Sequence, residues 1–344
     1  MIVVFKNEVE RDQIDLIVAE LQSEGFSTSI VQTGERLLID AVGVPSHLAS
    51  GVSRRLRANP LVADVVLSGS PFKLIAGTST KPVKVGRIAI GGPDLVIMAG
   101  PCTVESPEQI ESCAKAVGKA GATFLRGGAY KPSTSPYGFQ GLGTEALRWL
   151  RDSATANGLM VITEVMDPRR VDEVSQYADI LQLGSRNMQN FDLLKEVGRT
   201  KMPVLLKRGL AAKLSEWLLA AEYIANEGNE NIIMCERGIR GFDDYTRNVL
   251  DLAVVPAIKG LTHLPVIVDP SHAAGRRDLI APLSAAAIAA GADGLLIEVH
   301  PNPPMAKKDG GQSLSFEEFD QTMAGVSRIA GAIGRPIKSL VGHP

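Results

Sequence analysis

At 344 residues the chain is long enough to bury a large core and to hold two domains. A formal net charge of −2 gives no global attraction to nucleic acid or an anionic membrane, so any anion site has to be built locally. No run of about 18 uncharged apolar residues occurs. The N-terminal MIVVFKNEVERD is too acidic for a signal peptide, and Cys102, Cys113 and Cys235 form no even disulfide framework, so the expected compartment is the reducing cytoplasm.

Ile2 to Phe5 is predicted as a strand, and Ile14, Ile17, Val18 and Leu21 then recur on one helical face that Gly25 ends. Ser27–Gln32 and Arg36–Val42 are strands around the hairpin signal Thr33-Gly34-Glu35. Ser46 is placed to cap a second helix carrying Leu48, Val52 and Leu56, and Leu61–Leu67 closes the module. The order βαββαβ predicts a ferredoxin-like α+β domain over residues 1–70. Exposed aromatics and basic surroundings, which RNA binding needs, are absent from this stretch, so a small-ligand or interaction module is expected. Residues 71–94 read as a linker rich in Gly, Ser, Thr and Pro, with Val83–Ile90 as a strand that forms one arm of a hairpin.

From Leu95 to the end, short apolar runs alternate with polar loops and helical segments. The strand candidates are Leu95–Ala99, Thr123–Leu125, Val161–Glu164, Ile180–Leu183, Val204–Leu206, Ile232–Cys235, Val266–Val268 and Gly294–Ile297. Consecutive apolar positions suit parallel strands buried on both faces. Helix signals lie between them: Ser106-Pro107-Glu108-Gln109, Asp167-Pro168, the stripe Leu214, Trp217, Leu218, Ala221 and Ile224, and the capping box Ser315/Glu318 before Phe319, Met323 and Val326. Eight βα units over 95–344 predict an α/β fold, a (β/α)8 TIM barrel. A doubly wound open sheet is the second choice, but Ala99-Gly100-Pro101-Cys102 is no dinucleotide fingerprint.

Barrels place chemistry at the C-terminal ends of their strands. Those ends carry Cys102; Arg126 and Lys131; Glu164; Ser185-Arg186; Lys207-Arg208; Cys235-Glu236-Arg237; Asp269-Pro270-Ser271-His272; and Glu298-Val299-His300. Cys102, His272, Glu298 and the loop residue Asp309 offer one sulfur, one nitrogen and two carboxylates, a set for a divalent transition metal rather than magnesium or calcium. His300 ranks below His272 as a ligand. Arg126, Lys131, Arg186, Lys207 and Arg237 converge on one mouth, which suits an anion with a phosphate and a carboxylate. Glu164 and Glu236 are expected to pair with part of this cluster. A barrel hydrolase would want a His-x-His pair after the first strand, which this chain lacks, and a degenerate non-catalytic sensor would not keep the ligand set.

The motifs GPC at 100–102, LRGGAYKP at 125–132, LLKRG at 205–209, CERG at 235–238, DPSH at 269–272, EVHPNP at 298–303 and DGGQSL at 309–314 closely resemble 3-deoxy-D-arabino-heptulosonate 7-phosphate (DAHP) synthase. The match is to the subgroup with an N-terminal ferredoxin-like regulatory domain. The resemblance implies a barrel that condenses phosphoenolpyruvate with erythrose 4-phosphate, the first step of the shikimate pathway. It implies a metal of Mn, Fe, Co or Zn type on Cys102, His272, Glu298 and Asp309. It also implies phosphoenolpyruvate on Arg126, Lys131, Ser185, Arg186, Lys207 and Arg237, an aromatic effector (tyrosine or phenylalanine), and a homotetramer. Lys131 is expected to protonate the forming alkoxide with a pKa lowered by neighbouring cations. Glu164 is expected to orient the attacking water, and His272 belongs to the catalytic centre. One position departs from the pattern. Lys-Pro-Arg-Thr, whose Arg and Thr hold the acceptor phosphate, is here Lys131-Pro132-Ser133-Thr134. The related synthase that makes 3-deoxy-manno-octulosonate 8-phosphate is therefore the alternative, although it carries Lys-Ala-Asn-Arg there. Two compensations are open: another basic group, Arg276 or Arg277 or one from a neighbouring subunit, reaches the phosphate, or the natural acceptor carries no phosphate at that position.

Overall fold

The computed structural model describes residues 1–337 except 7–8, 34–35, 44–45, 67–71 and 134. The N-terminal module contains β1 (Ile2–Phe5), α1 (Arg11–Ser23), β2 (Ser27–Thr33), β3 (Arg36–Val42), α2 (Ser46–Arg57) and β4 (Val62–Val66). Its antiparallel sheet has the order β2-β3-β1-β4. Ile14, Ile17 and Leu21 are buried, as their spacing predicts, and meet Val3, Phe5, Ile39, Val52, Leu56 and Val65 in a core separate from the barrel's. Gly34-Glu35 of the expected turn and the side chain of Ser46, the expected cap, lie outside the described residues.

The segment expected to be a linker is docked. The Glu222 carboxylate accepts from the backbone N–H groups of Lys73, Leu74 and Ile75 at 2.6, 2.8 and 3.1 Å. Lys81 N then donates to His263 O at 2.7 Å. The expected single strand over 83–90 is a whole hairpin, β5 (Val83–Val85) and β6 (Ile88–Ile90). Gly86 turns it at φ +52°, a backbone shape unfavourable to other residues.

Eight parallel strands close into a barrel: β7 (Val96–Gly100), β8 (Phe124–Arg126), β9 (Met160–Glu164), β10 (Ile180–Leu183), β11 (Val204–Lys207), β12 (Ile232–Glu236), β13 (Val266–Val268) and β14 (Gly294–Glu298). Closure rules out the open doubly wound sheet. Around it run α3 (Pro107–Lys119), α4 (Thr144–Ala156), the short α5 (Val171–Ser175), α6 (Phe191–Thr200), α7 (Leu214–Asn226), α8 (Val254–Leu261), the short α9 (Pro270–Ala274), α10 (Ile280–Ala289) and α11 (Phe316–Ala332). The caps follow their sequence signals. Ser106 Oγ accepts from Gln109 N at 3.2 Å, and Ser315 and Glu318 exchange hydrogen bonds at 3.2 and 2.7 Å.

Inside the barrel, Met98, Phe124, Ile162, Ile180, Leu205, Ile233, Ile267 and Leu296 form an apolar layer. Val83, Val85, Ile88 and Ile90 of the hairpin pack against it. The hairpin therefore plugs the N-terminal end, and the chemistry is confined to the other end.

Candidate active site

Side chains alternate between faces along a strand, so residues two apart share the barrel interior. Two positions beyond the apolar layer lie Arg126, Glu164, Gln182, Lys207, Asp269 and Glu298. One period thus converts a dry floor into a charged ring. Most strands run one residue past their predicted ends, and Arg126, Lys207 and Glu298 are terminal strand residues rather than loop residues. Rigid strands, not loops, hold the ring in place.

Cys102, His272, Glu298 and Asp309 converge, with one ligand atom from each lying within 4.8 Å of all the others. Gly100 makes the first strand-to-loop turn at φ +146°, where a Cβ would sit 2.2 Å from Arg126 O. That turn brings Cys102 Sγ to 3.2 Å from Asp309 Oδ2. Asp309 itself is left-handed, at φ +53°. Asp269 caps α9 by accepting from His272 N at 2.9 Å and places its Oδ2 2.7 Å from His272 Nδ1. A carboxylate facing Nδ1 fixes the proton there and leaves the lone pair on Nε2. Burial lowers the His272 pKa, which keeps the ring neutral. Nε2 then faces Glu298 Oε1 at 3.3 Å. Two lone-pair atoms at that distance suit a shared cation, whereas the Cys102 thiol, while protonated, donates to the Asp309 carboxylate and becomes a ligand on losing that proton. The donor set therefore fits a divalent metal ion. Burial, followed by the charge of Glu298, pushes the Cys102 thiol upward, and a bound cation would reverse this.

The cavity above the ring has a volume of about 300 Å³ and is lined by Arg126, Lys131, Ser185, Arg186, Lys207 and Arg237, the six residues expected to hold the anionic substrate. Arg126 pairs with Glu298, and Lys207 pairs with Asp269 at 2.5 Å. Lys131 Nζ is 3.4 Å from Glu164 Oε2, and Gly128 permits this approach, because a Cβ there would lie 2.9 Å from Lys131 Cδ. Arg237 donates to His272 O at 3.2 Å and Gly238 O at 3.3 Å, and burial lowers its pKa.

Several expectations change. Burial alone would depress the Lys131 ammonium, but the charges of Cys102 and Glu164 outweigh it, so its pKa is raised, not lowered. Glu236 does not face the mouth. It pairs outside the barrel ring with Arg208 at 3.0 Å, and Arg208 also meets Asp251 at 2.9 Å. Cys235 lies in the apolar floor. His300 stays out of the metal cluster, with Nε2 3.7 Å from Glu105. Arg276 pairs with Asp278 at 2.8 Å and stacks on Tyr245, and Arg277 reaches toward Glu318. Neither lines the cavity. Thr134 lies outside the described residues.

Four contributors carry no role in the sequence reading: Asp269, which stands among the strand-end residues, and Gln312, Arg247 and Lys308. Gln312 donates to Glu298 Oε2 at 2.5 Å, and Arg247 meets Gln312 at 2.8 Å and Asp309 at 3.3 Å. The two-residue alternation from Ile267 assigns Asp269 to the ring; for the other three, which sit on loops, no periodicity exists to follow.

Comparison with known proteins follows the same lines. The family model described as "DAHP synthetase I family" matches residues 74–330, and that described as "DAHP synthase ferredoxin-like domain" matches residues 1–67. A phospho-2-dehydro-3-deoxyheptonate aldolase of Thermotoga maritima is 44% identical over 337 residues, covering 97% of this chain and 99% of the relative. A 2-dehydro-3-deoxyphosphooctonate aldolase of Koribacter versatilis is 30% identical over 280 residues, covering 75% of this chain and 99% of its own length. The crystal structure of the Thermotoga maritima DAHP synthase aligns with TM-score 0.77 at 43% identity, covering 98% of this chain and 99% of that one. A truncated form of the enzyme from the same organism aligns with TM-score 0.73 at 45% identity, covering 78% and 99%. No helix among the described residues is long and apolar enough to cross a membrane. The octonate-type relatives are the more distant ones, and the chain belongs to the DAHP synthetase I family, in the form that carries a ferredoxin-like domain ahead of the barrel, with the activity of a DAHP synthase.

Proposed function

We propose that the ring and its cavity divide the DAHP synthase reaction between two sets of side chains. The supporting observation is the adjacency of a sulfur–nitrogen–carboxylate cluster and a concentration of buried cations on one rigid strand ring. Arg126, Lys131, Arg186, Lys207 and Arg237, with Ser185, hold the phosphate and carboxylate of phosphoenolpyruvate. Cys102, His272, Glu298 and Asp309 would hold a divalent ion of Mn, Fe, Co or Zn type, which supplies Lewis acidity toward the aldehyde oxygen of erythrose 4-phosphate. Lys131, kept protonated by its anionic neighbours, delivers its proton to the alkoxide oxygen that forms as C3 of phosphoenolpyruvate attacks the aldehyde. Glu164, 3.4 Å from that ammonium, orients the water that adds at C2 and accepts its proton. Phosphate then leaves by C–O cleavage. The fixed cations stabilise its charge throughout, without reorganising.

The same reading assigns residues 1–70 as a regulatory domain for tyrosine or phenylalanine, 71–94 as linker and hairpin, and 95–344 as the catalytic barrel, in a cytoplasmic homotetramer. Thr134 is assigned to the acceptor phosphate. The test is phosphate release from phosphoenolpyruvate across a panel of aldose phosphates, with and without a chelator. Turnover with erythrose 4-phosphate that disappears on chelation and returns with a divalent transition metal is expected. Preference for arabinose 5-phosphate would replace the acceptor assignment, and full turnover in metal-free enzyme would remove the metal assignment.

A further inference from the structure

Arg126, Lys131, Lys207 and Arg237, deep in the cavity, are matched by buried carboxylates or carbonyls. Lys308 is not. Its ammonium lines the same cavity, and its polar partner among the described residues is the neutral hydroxyl Ser133 Oγ, at 2.8 Å. An ammonium held at a half-buried wall by one neutral acceptor keeps two donors for an anion.

The position is built. Lys308 precedes Asp309, whose Oδ2 is 3.2 Å from Cys102 Sγ and whose Oδ1 is 3.3 Å from Arg247. On its other side, Lys307 N donates to Glu105 at 2.9 Å, and the Lys307 ammonium sits 4.8 Å above the Phe139 ring. The loop is thus tied down on both flanks of Lys308. The opposite wall makes room for it: a Cβ at Gly138 would meet Ser133 Oγ at 2.3 Å and Lys308 Nζ at 2.8 Å.

We infer that Lys308, seated on Ser133, binds the phosphate of the acceptor aldose. The inference rests on the reading that the acceptor is an aldose phosphate whose aldehyde points at the metal cluster. A lysine one residue from a metal-ligand position, on the mouth side of the cavity, suits a phosphate a short carbon chain away from that aldehyde. Ser133 is then a seat for the cation rather than a gap in the site, and the charge comes from the loop after β14 instead of the loop after β8.

The test is steady-state kinetics of the full-length protein and its Lys308→Met, Lys308→Arg and Ser133→Arg/Lys308→Ser variants, with erythrose 4-phosphate and with unphosphorylated erythrose. Losing a charge-assisted contact to phosphate should raise KM for erythrose 4-phosphate in Lys308→Met by about ten- to a hundredfold. KM for phosphoenolpyruvate and kcat/KM for erythrose should stay within about twofold, the scatter expected for a group that does not touch them. Lys308→Arg should recover most of the loss, and the double variant, which moves the cation to the other loop, should recover part of it. An unchanged KM for erythrose 4-phosphate in a folded Lys308→Met, or an equal loss with erythrose, overturns the inference while leaving the parent's synthase activity intact. A parent that is inactive with every aldose phosphate overturns the underlying reading and this one with it.

Discussion

Asp269→Asn tests the site with almost no change in shape. Asp269 is fully buried and does three things: it accepts from His272 N at 2.9 Å, faces His272 Nδ1 at 2.7 Å, and pairs with Lys207 at 2.5 Å. Asparagine keeps one carbonyl oxygen, which can retain either the helix cap or the lysine, but not the carboxylate's hold on Nδ1. An amide N–H directed at Nδ1 moves the imidazole proton to Nε2, the nitrogen that faces Glu298. Metal affinity should fall by about 10–100-fold, the usual effect of removing the carboxylate behind a ligating histidine, which corresponds to about 1.4–2.7 kcal/mol. Removing the negative charge opposite Lys207 costs the metal-free fold about 3 kcal/mol, the lower part of the range for breaking a buried pair, because the one amide oxygen replaces either the lysine contact or the helix cap. Competition against a chelating dye reads the first number, and denaturant unfolding in excess chelator reads the second. An Asn variant that binds metal as tightly as the parent would refute the tautomer argument, even if its stability fell.

Cys102→Ala should abolish turnover at any metal concentration, whereas chelated parent should recover fully on adding a divalent transition metal; a rate assay after gel filtration distinguishes them. Removing residues 1 to about 70 should leave an active barrel that no longer responds to tyrosine or phenylalanine; a full-length protein indifferent to every aromatic amino acid would reduce the module to an assembly element. Ile90→Ala, at a fully buried position in the hairpin plug, should cost roughly 2–5 kcal/mol of stability and leave both Michaelis constants unchanged. A change in either constant would mean that the plug shapes the substrate site as well as the core.

Most of the ring was legible because parallel barrel strands are short and apolar, so a charged residue at the end of each run stands out. The errors came from the same feature. Glu236 and Arg208 occupy the same kind of strand-end position as Glu164 and Lys207, but one place out of phase, so they point toward the helices. Reading the strands at their two-residue period from Ile233 and Leu205 would have separated them. The hairpin is hard to read because each arm is only three residues long, and its one signal is the break in alternation at Gly86-Arg87 between Val85 and Ile88. The docked segment at 73–75 was unreadable, because its partner Glu222 is 147 residues away and on the flank of a helix. Lys308 was overlooked for a similar reason: a lysine in a polar loop has no local signature, and only the tertiary approach to Ser133 distinguishes it from Lys307.

The crowding of cations at one end has a kinetic consequence. Eight of the chain's 36 Lys and Arg residues line this cavity, yet the formal net charge is −2, so the remainder of the surface carries an excess of acid. A multiply charged anion gains no attraction at long range and is drawn in only over the last Debye length, about 8 Å at physiological ionic strength. The hairpin plug closes the far end, so the departing phosphate leaves through the same mouth and is held back by the same field. Added salt therefore slows capture and speeds release. The rate at subsaturating phosphoenolpyruvate should fall steadily with ionic strength, whereas the saturated rate should rise with it wherever product departure limits turnover.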